Sequence, residues 1–311
     1  MTDATLEDRA RLSGDELAAV LDLVHEVTEA DGVLPLSEHV MLHLRYGGDT
    51  PVRNLLVRDP DGELAGYAHL DVTDTVEGSS AELAVRPAYR HRGYGRLLVE
   101  GLLARSPDGR LRLWAHGQQP EAQALAVGMG FERSRVLWQL RRSLHAPLGQ
   151  AELPAGVTVR PFRPGADEQA WIRLNSRAFA GHPDQGNWTV EDLARRENES
   201  WFDPAGFFLA EHDGELVGFH WTKVHGKDQV APSPDSHGHE PIGEVYVLGI
   251  DPGYQGKGLG AALTLVGLRY LRHRGLAQVM LYVDESNPRA IALYERLGFT
   301  KWDVDVSFRM P

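Results

Sequence analysis

Two stretches of this chain return later in the same order, and that duplication constrains the fold more than any other feature. Asp61-Gly62-Glu63-Leu64-Ala65-Gly66-Tyr67 pairs with Asp213-Gly214-Glu215-Leu216-Val217-Gly218-Phe219, and Pro87-Ala88-Tyr89-Arg90 pairs with Pro252-Gly253-Tyr254-Gln255. The second pair is spaced more widely than the first, so the second copy carries extra residues. The polar, Pro/Gly/His-rich segment from His225 to Pro241 is where they are expected. Repetition at the scale of a domain predicts a tandem duplication and not a solenoid, whose period would be roughly 20–50 residues. The 311 residues suffice for two domains. We expect them at 1–145 and 156–311, joined by a Pro-, Gly- and Ala-rich linker from His145 to Gly156.

Each copy predicts the same alternation of elements. In the first, residues 14–30 carry Leu17, Val20, Leu21, Val24 and Val27 at helical spacing. A loop over Asp31–Glu38 leads to a second helical stretch. Asn54–Val72 reads as a hairpin turning at Pro60-Asp61-Gly62, and Ala81–Val85 as a strand ending at Pro87. A glycine-rich turn, an apolar helix, a strand at Arg112–His116 and a short helix at Glu121–Gly128 follow, closing on Gly130-Phe131. In the second copy a strand at Val157–Phe162, a helix at Asp167–Phe179 and a hairpin over Phe207–Thr222 lead to the apolar strand Glu244–Ile250.

Directly after that strand stands Gln255-Gly256-Lys257-Gly258-Leu259-Gly260, opening a helix with Leu259, Leu263, Val266 and Tyr270 on one face. A strand, a glycine-rich turn and a helix N-terminus form an anion cradle, because close backbone approach, convergent N–H groups and the helix dipole all favour phosphate. The spacing is neither that of a P-loop nor GxGxxG. It resembles the Q/R-x-x-G-x-G/A pyrophosphate loop of the GNAT superfamily of N-acetyltransferases. Asn287-Pro288-Arg289-Ala290-Ile291-Ala292-Leu293-Tyr294-Glu295-Arg296-Leu297-Gly298-Phe299 resembles that superfamily's N-x-x-A-x-x-x-Y-x-x-x-G-F segment. Arg90-His91-Arg92-Gly93-Tyr94-Gly95 is a second copy of the loop. The resemblance covers nearly the whole chain twice. It implies an α/β (α+β) fold of two tandem GNAT-type domains, each a mixed, mostly antiparallel sheet flanked by helices.

The same resemblance implies acetyl-CoA as acetyl donor. Its contacts would be Leu248, Gly249 and Ile250 on the strand, Gln255, Gly256, Lys257, Gly258, Leu259, Gly260 and Ala261 at the cradle, and Asn287, Arg289 and Ala292 beyond it. In the first copy they would be Leu83, Ala84, Val85, His91, Arg92, Gly93, Tyr94, Gly95 and Arg96.

Acyl transfer from a thioester to an amine needs a base, a donor to the oxyanion and a proton for the departing thiolate. In GNAT enzymes a backbone N–H at a bulged fourth strand, here Val247–Ile250, holds the carbonyl. A carboxylate on that strand, here Glu244, acts as base directly or through water, and a tyrosine, here Tyr294, as acid. Counting back from Pro87 and Phe131 places Ser79 and Ala126 at the equivalent positions of the first copy, and Gln119 stands for Asn287. The first copy is therefore expected to keep a CoA cradle without the chemistry.

Three further runs, Ala178–Gly186, Gly218–His225 and Gly243–Gly249, resemble the mycothiol synthase family of actinobacterial tandem GNAT enzymes. That family acetylates the cysteinyl amine of desacetylmycothiol, a cysteinyl-glucosaminyl-inositol. By position, the resemblance implies substrate contacts at Glu38, Asp184, Lys223, Glu244 and Tyr282. The plain alternatives are a helix-start acid at Glu38, a turn residue at Asp184, a solvated edge charge at Lys223, and core tyrosines at 282 and 294. A GNAT enzyme for another amine (a polyamine, an aminoglycoside, a protein N-terminus) or a non-enzymatic acetyl-CoA sensor are the competing functions.

Composition narrows the rest. A net charge of -12 argues against a nucleic-acid surface. The absence of cysteine removes disulfides, thiolate metal sites and a cysteine nucleophile. His225, His237 and His239 lie among Gly, Pro and Ser without rigid ligand spacing, so no metal is expected. The set Trp171, Trp188, Trp201 and Trp221 reads as packing. The polar, acidic start and the lack of a long apolar run predict a cytoplasmic protein without a membrane partner, and a monomer is expected.

Overall fold

The computed structural model describes residues 4–47, 52–74, 78–107, 109–180, 186–225 and 241–310. They form two compact units, one of Met1–Leu137 with Asp303–Pro311 and one of Trp138–Trp302.

The first unit runs β1 (Thr5–Arg9), α1 (Gly14–Asp31), α2 (Glu38–Tyr46), β2 (Val52–Arg58), β3 (Leu64–Asp71), β4 (Ser79–Val85), α3 (Tyr94–Leu103), β5 (Leu111–Ala115), α4 (Pro120–Gly128) and the start of β6 (Glu132–Ser143). β1 to β4 are successively antiparallel, and β4 pairs with β5 in parallel. Alternation of side chains sorts β2 between two cores. Leu55 and Val57 pack with Leu98 and Leu102 of α3. Leu56 packs with Val20, Leu23 and Val27 of α1. Both faces of this sheet are covered, which explains the consecutive apolar residues Leu55–Val57 in β2 and Leu64–Ala68 in β3. Ser13 and Glu16 form a reciprocal capping box that starts α1.

The second unit continues with the rest of β6, then β7 (Val157–Pro161), α5 (Glu168–Ala178), α6 (Val190–Glu197), β8 (Phe207–His212), β9 (Glu215–His225), β10 (Ile242–Ile250), α7 (Leu259–His273), β11 (Gln278–Asp284), α8 (Pro288–Arg296) and the start of β12 (Thr300–Arg309). Its strands lie in the order β6-β11-β10-β9-β8-β7. Trp171, Trp221, Phe207 and Phe219 fill the core under α5, with the Phe207 and Trp221 rings stacked at 4.4 Å. Trp171 and Trp221 are therefore packing residues, as the sequence indicated.

Two differences from expectation share one cause. The compact units change over at Leu137/Trp138, not at the 145–156 segment, and the last described residues of the chain belong to the first unit. Val306–Arg309 of β12 pair antiparallel with Arg112–Ala115 of β5 and close that sheet, while the end of β6 belongs to the second unit. Neither closing strand is foreseen, although Trp302–Phe308 of β12 alternates apolar and polar residues strictly. β1 was also missed. Its sequence is polar apart from Leu6, which lies against the core. It is held by the ladder from Thr5 opposite Arg58 to Arg9 opposite Asn54, with ion pairs of Arg9 with Glu16 at 2.8 Å and Arg105 with Asp8 at 2.7 Å alongside.

Candidate active site

In the second unit β10 leaves its neighbour early. Its parallel pairing with β11 is confined to Gly243 opposite Val279 and Glu244 opposite Met280. Beyond Glu244 the strands splay, so Leu248, Gly249 and Ile250 line the opening with backbone groups not committed to β11. On the other side, Val245 pairs with Thr222 but Val247 pairs with Trp221, which leaves Tyr246 as an extra residue. This is the β-bulge expected on the strand, one position before the Val247–Ile250 stretch where it was anticipated. A bulge releases a backbone group from the ladder and lets it aim elsewhere.

The splayed strand delivers the chain to the cradle. Gly256 and Gly258 take φ of 77° and 84°, the left-handed region that suits glycine. Gly258 caps α7 without any side-chain hydrogen bond, so the first N–H groups of that helix are left for a ligand. By contrast Ser13, Ser37, Thr189 and Asn287 cap α1, α2, α6 and α8 with their side chains. Asn287 accepts from Ala290 N–H at 3.1 Å, so its first task is to start α8. Arg289 reaches Gln255 Oε1 at 3.4 Å, linking α8 to the cradle. A Cβ on Gly258 would meet no atom within 4 Å, and its constraint is therefore conformational. A Gly258→Val protein is expected to raise KM for acetyl-CoA about 10- to 100-fold, because a branched residue is strained there by roughly 1–3 kcal/mol. An unchanged KM would dismiss the cradle.

Glu244 is buried at the point where the strands part. Its Oε2 lies 2.7 Å from Nε2 of His225. Opposite it in the β9 ladder stands Lys223. Lys223 is not the solvated edge charge that its position suggested. It lies past the last β8 pair, Phe207 opposite Trp221, yet it is buried, with Nζ 4.4 Å from the Trp201 ring centre and 5.2 Å from that of Tyr246. Tyr294 is buried on α8 in one cluster with Val245 and Leu248 of β10, and burial pushes its hydroxyl well above the usual tyrosine range. That hydroxyl is neutral at pH 7. Tyr282 is 40% exposed on β11, and its hydroxyl accepts from Gln139 Nε2 at 2.9 Å. The core reading of Tyr282 is therefore wrong, whereas that of Tyr294 holds for its ring. Asp184 lies outside the described residues, as do His237 and His239. His225 is the residue that sequence reasoning misjudged, since it was weighed as a metal ligand or a loop residue and is instead the partner of Glu244.

The first unit repeats the backbone of the cradle. His91 and Gly93 take φ of 60° and 88°, reproducing the backbone of Gly256 and Gly258 although one of the two is not glycine. A non-glycine residue held there is disfavoured, and its retention points to a constraint on the loop. Gly93 likewise caps α3 without a side-chain bond, and Arg90 is fixed by a bidentate pair with Asp31 at 2.7 and 2.8 Å. A cavity of about 370 Å³ opens here, bordered by Leu83, Val85, His91, Gly95 and Leu125. It leaves room for a ligand beside this cradle. β4 runs in unbroken register with β3 from Gly66↔Val85 to Asp71↔Ser80, so there is no bulge.

That difference corrects one equivalence. Because Tyr246 consumes an extra residue, Glu244 opposite Lys223 corresponds to Ser80 opposite Asp71, not to Ser79. Ala126 sits buried on α4, and Gln119 occupies the cap position of Asn287 without capping. Glu38 opens α2 directly after its cap Ser37.

The acetyltransferase (GNAT) family model matches the chain twice, over residues 22–131 and 169–299. A mycothiol acetyltransferase of Acidothermus cellulolyticus is 62% identical over 307 residues, spanning 97% of this chain and 94% of its own length. This chain belongs to the mycothiol acetyltransferase family of GNAT enzymes. It is accordingly an acyltransferase that uses acetyl-CoA. A second mycothiol acetyltransferase, from Streptosporangium roseum, is 56% identical over 99% of both chains. Among solved structures, a GCN5-related N-acetyltransferase from Sphaerobacter thermophilus is 27% identical with a TM-score of 0.67, covering 98% of this chain and 95% of its own. A tandem GNAT protein from the clavulanic acid biosynthesis pathway shares the fold, with a TM-score of 0.74 at 21% identity over 99% and 98% of the two chains. Among the described residues no helix is long and apolar enough to cross a membrane.

Proposed function

We propose that this GNAT enzyme acetylates the cysteinyl amine of desacetylmycothiol, and that the second unit carries the proton-transfer chemistry. The observation that carries the reading is the bulged, splayed β10 with buried Glu244 at its parting point, a combination that β4 lacks. The names of the full-length relatives support the substrate. Acetyl-CoA is taken as a substrate, its pyrophosphate on the N–H groups of Gln255–Ala261 and its pantetheine along Leu248–Ile250.

The reaction then runs by direct attack. The substrate ammonium gives a proton to Glu244 through water, and the neutral nitrogen forms its bond to the thioester carbonyl carbon. A backbone N–H beside the bulge donates to the oxyanion. Glu244 passes that first proton to solvent water, and the C–S bond breaks. The nitrogen loses its second proton to the freed carboxylate, and the thiolate takes one from the Tyr294 hydroxyl, which Glu244 then restores through water. One proton is thus released to solvent per turnover. Lys223 and Tyr282 supply donors to the acceptor substrate, and Glu38 and Asp184 accept from its ammonium and hydroxyl groups. The first unit holds acetyl-CoA at Leu83, Ala84, Val85 and His91–Arg96 without turning it over. We read the enzyme as a cytoplasmic monomer.

The experiment is incubation with acetyl-CoA and desacetylmycothiol and detection of the acetylated product by mass. Turnover of a polyamine or aminoglycoside in preference would move the enzyme to another acceptor. Glu38→Ala is expected to weaken desacetylmycothiol binding about ten- to hundredfold through loss of a charge-assisted hydrogen bond, with KM for acetyl-CoA intact. Unchanged kinetics in the folded variant would leave Glu38 as a helix-start acid only.

A further inference from the structure

We propose that His225 is the positioning residue of the acetyl-transfer site, holding Glu244 in the orientation in which it takes the proton. The inference rests on the reading of Glu244 as the base. His225 ends β9, two residues beyond Lys223, the ladder partner of Glu244. Residues two apart on a strand share a face, and a diagonal neighbour on the adjacent strand is within reach of a long side chain. The observed Nε2···Oε2 separation of 2.7 Å realises that contact. An ionised carboxylate can only accept, so Nε2 carries the hydrogen and donates it to Oε2. This assigns the tautomer: when His225 is neutral, Nδ1 is the acceptor.

The rest of the surroundings explains why such a bond is needed. On the β10 side the adjacent polar side chain is Tyr246, whose hydroxyl accepts from Arg196 Nε at 2.8 Å and so is turned toward α6. On β9 the Lys223 ammonium lies against the Trp201 and Tyr246 rings. On β11 the residue opposite Glu244 is Met280, which offers no donor, and the nearest tyrosine on that strand, Tyr282, is joined to Gln139. His225 thus fixes one carboxylate oxygen and leaves Oε1 for the amine or its water. It is itself about a third exposed, while the carboxylate it holds is buried. A carboxylate free to turn about its last torsion would spend much of its time misaimed, and misplacement of a reacting group by about 1 Å costs on the order of 10²-fold in rate.

A bond made only to steady the sheet would affect stability and leave kcat alone, which is the distinction the test uses. kcat and both KM values are measured for the full-length enzyme and for His225→Ala, His225→Gln, Glu244→Gln and the His225→Ala/Glu244→Gln pair, with thermal melting as a check on folding. His225→Ala is expected to lower kcat about 10- to 100-fold with KM for acetyl-CoA unchanged. His225→Gln, whose amide N–H can reach the same oxygen, is expected to recover most of that loss. In the Glu244→Gln background, His225→Ala is expected to cost nothing more, because the two act as one unit. Full kcat in a folded His225→Ala beside an impaired Glu244→Gln would overturn the proposal alone, as would fully additive losses in the pair. Full kcat in Glu244→Gln would remove the base and its positioning residue together.

Discussion

Glu244→Gln is expected to lower kcat by about 10²–10⁴-fold while leaving KM for acetyl-CoA close to that of the parent. The amide is nearly isosteric, so the strand and its bulge stay in place, but it cannot take a proton from the attacking nitrogen. Tyr294→Phe is expected to fall in the same range by a different route. It removes only the hydroxyl, keeps the ring against Phe299, and leaves the thiolate without its donor. The two are separable with an acyl donor whose leaving thiol is more acidic. Such a donor needs no proton on departure, so it should rescue Tyr294→Phe and not Glu244→Gln. Equal behaviour of both variants with both donors would mean that the roles are misassigned.

Asp305→Ala is expected to destabilise the first unit by roughly 3–5 kcal/mol, the usual cost of stranding one partner of a buried ion pair. His116 is held between two carboxylates, with Nδ1 3.1 Å from Asp305 and Nε2 3.4 Å from Glu82, and Asp305 also accepts the Gly117 N–H at 2.9 Å. Burial alone would push the imidazolium down from its ordinary 6.5. The bonds to Asp305 and Glu82 outweigh it and raise the pKa to about 10. Glu82 is buried too, which favours its neutral form, yet His116 and the Ser37 N–H hold it below the usual carboxylate range. The signs follow from linkage. The contribution of His116 is complete below pH 6.5 and is lost as pH rises through about 10. That of Glu82 is present above its ordinary 4.5 and is lost as pH falls below it. Amide exchange along β4 and β5, followed against pH, should therefore be slowest relative to intrinsic rates between those limits. His116→Gln should flatten the alkaline side of that profile, and an unaltered alkaline side would show that the cluster contributes nothing.

Much of this arrangement is legible in the residues. Gly256 and Gly258 declare a left-handed turn, and the apolar run after them declares the helix it opens. The paired hairpins at Asp61 and Asp213 declare the duplication. The bulge is not legible in the same way. Nothing in Glu244-Val245-Tyr246-Val247 announces that one residue will drop out of the ladder, because the choice depends on how β9 and β10 twist past each other. Counting along the chain therefore chose Ser79 where the ladder selects Ser80. His225 was hidden for a related reason. It closes a strand and adjoins a polar segment, so its linear context speaks of a loop, whereas its contact to Glu244 exists only across the ladder. Lys223 misled because a lysine near a strand end is usually solvated, and only the packing of Trp201 and Tyr246 makes a dry place for it. β12 shows its strand character in the alternation of Trp302–Phe308, but its partner is hidden, since the pairing with β5 is decided far away in sequence.

The exchange of those closing strands fixes an order of events during synthesis. A domain normally can fold once its last residue has left the ribosome, and N-terminal domains commonly do so first. Here the sheet of the first unit lacks its final strand until Val306–Arg309 have been made, and the cluster around His116 lacks Asp305 until then. Residues 4–137 must therefore wait, with the β5 edge unpaired, through translation of the whole second unit. An exposed edge of that kind invites wrong partners. A ribosome-bound chain that carries residues up to Trp302, followed by an unstructured linker long enough to clear the exit tunnel, is expected to show a protease-resistant second unit and a protease-sensitive first one. The same arrangement extended through Met310 should protect both. Equal resistance at the two lengths would mean that the first unit matures without its last strand.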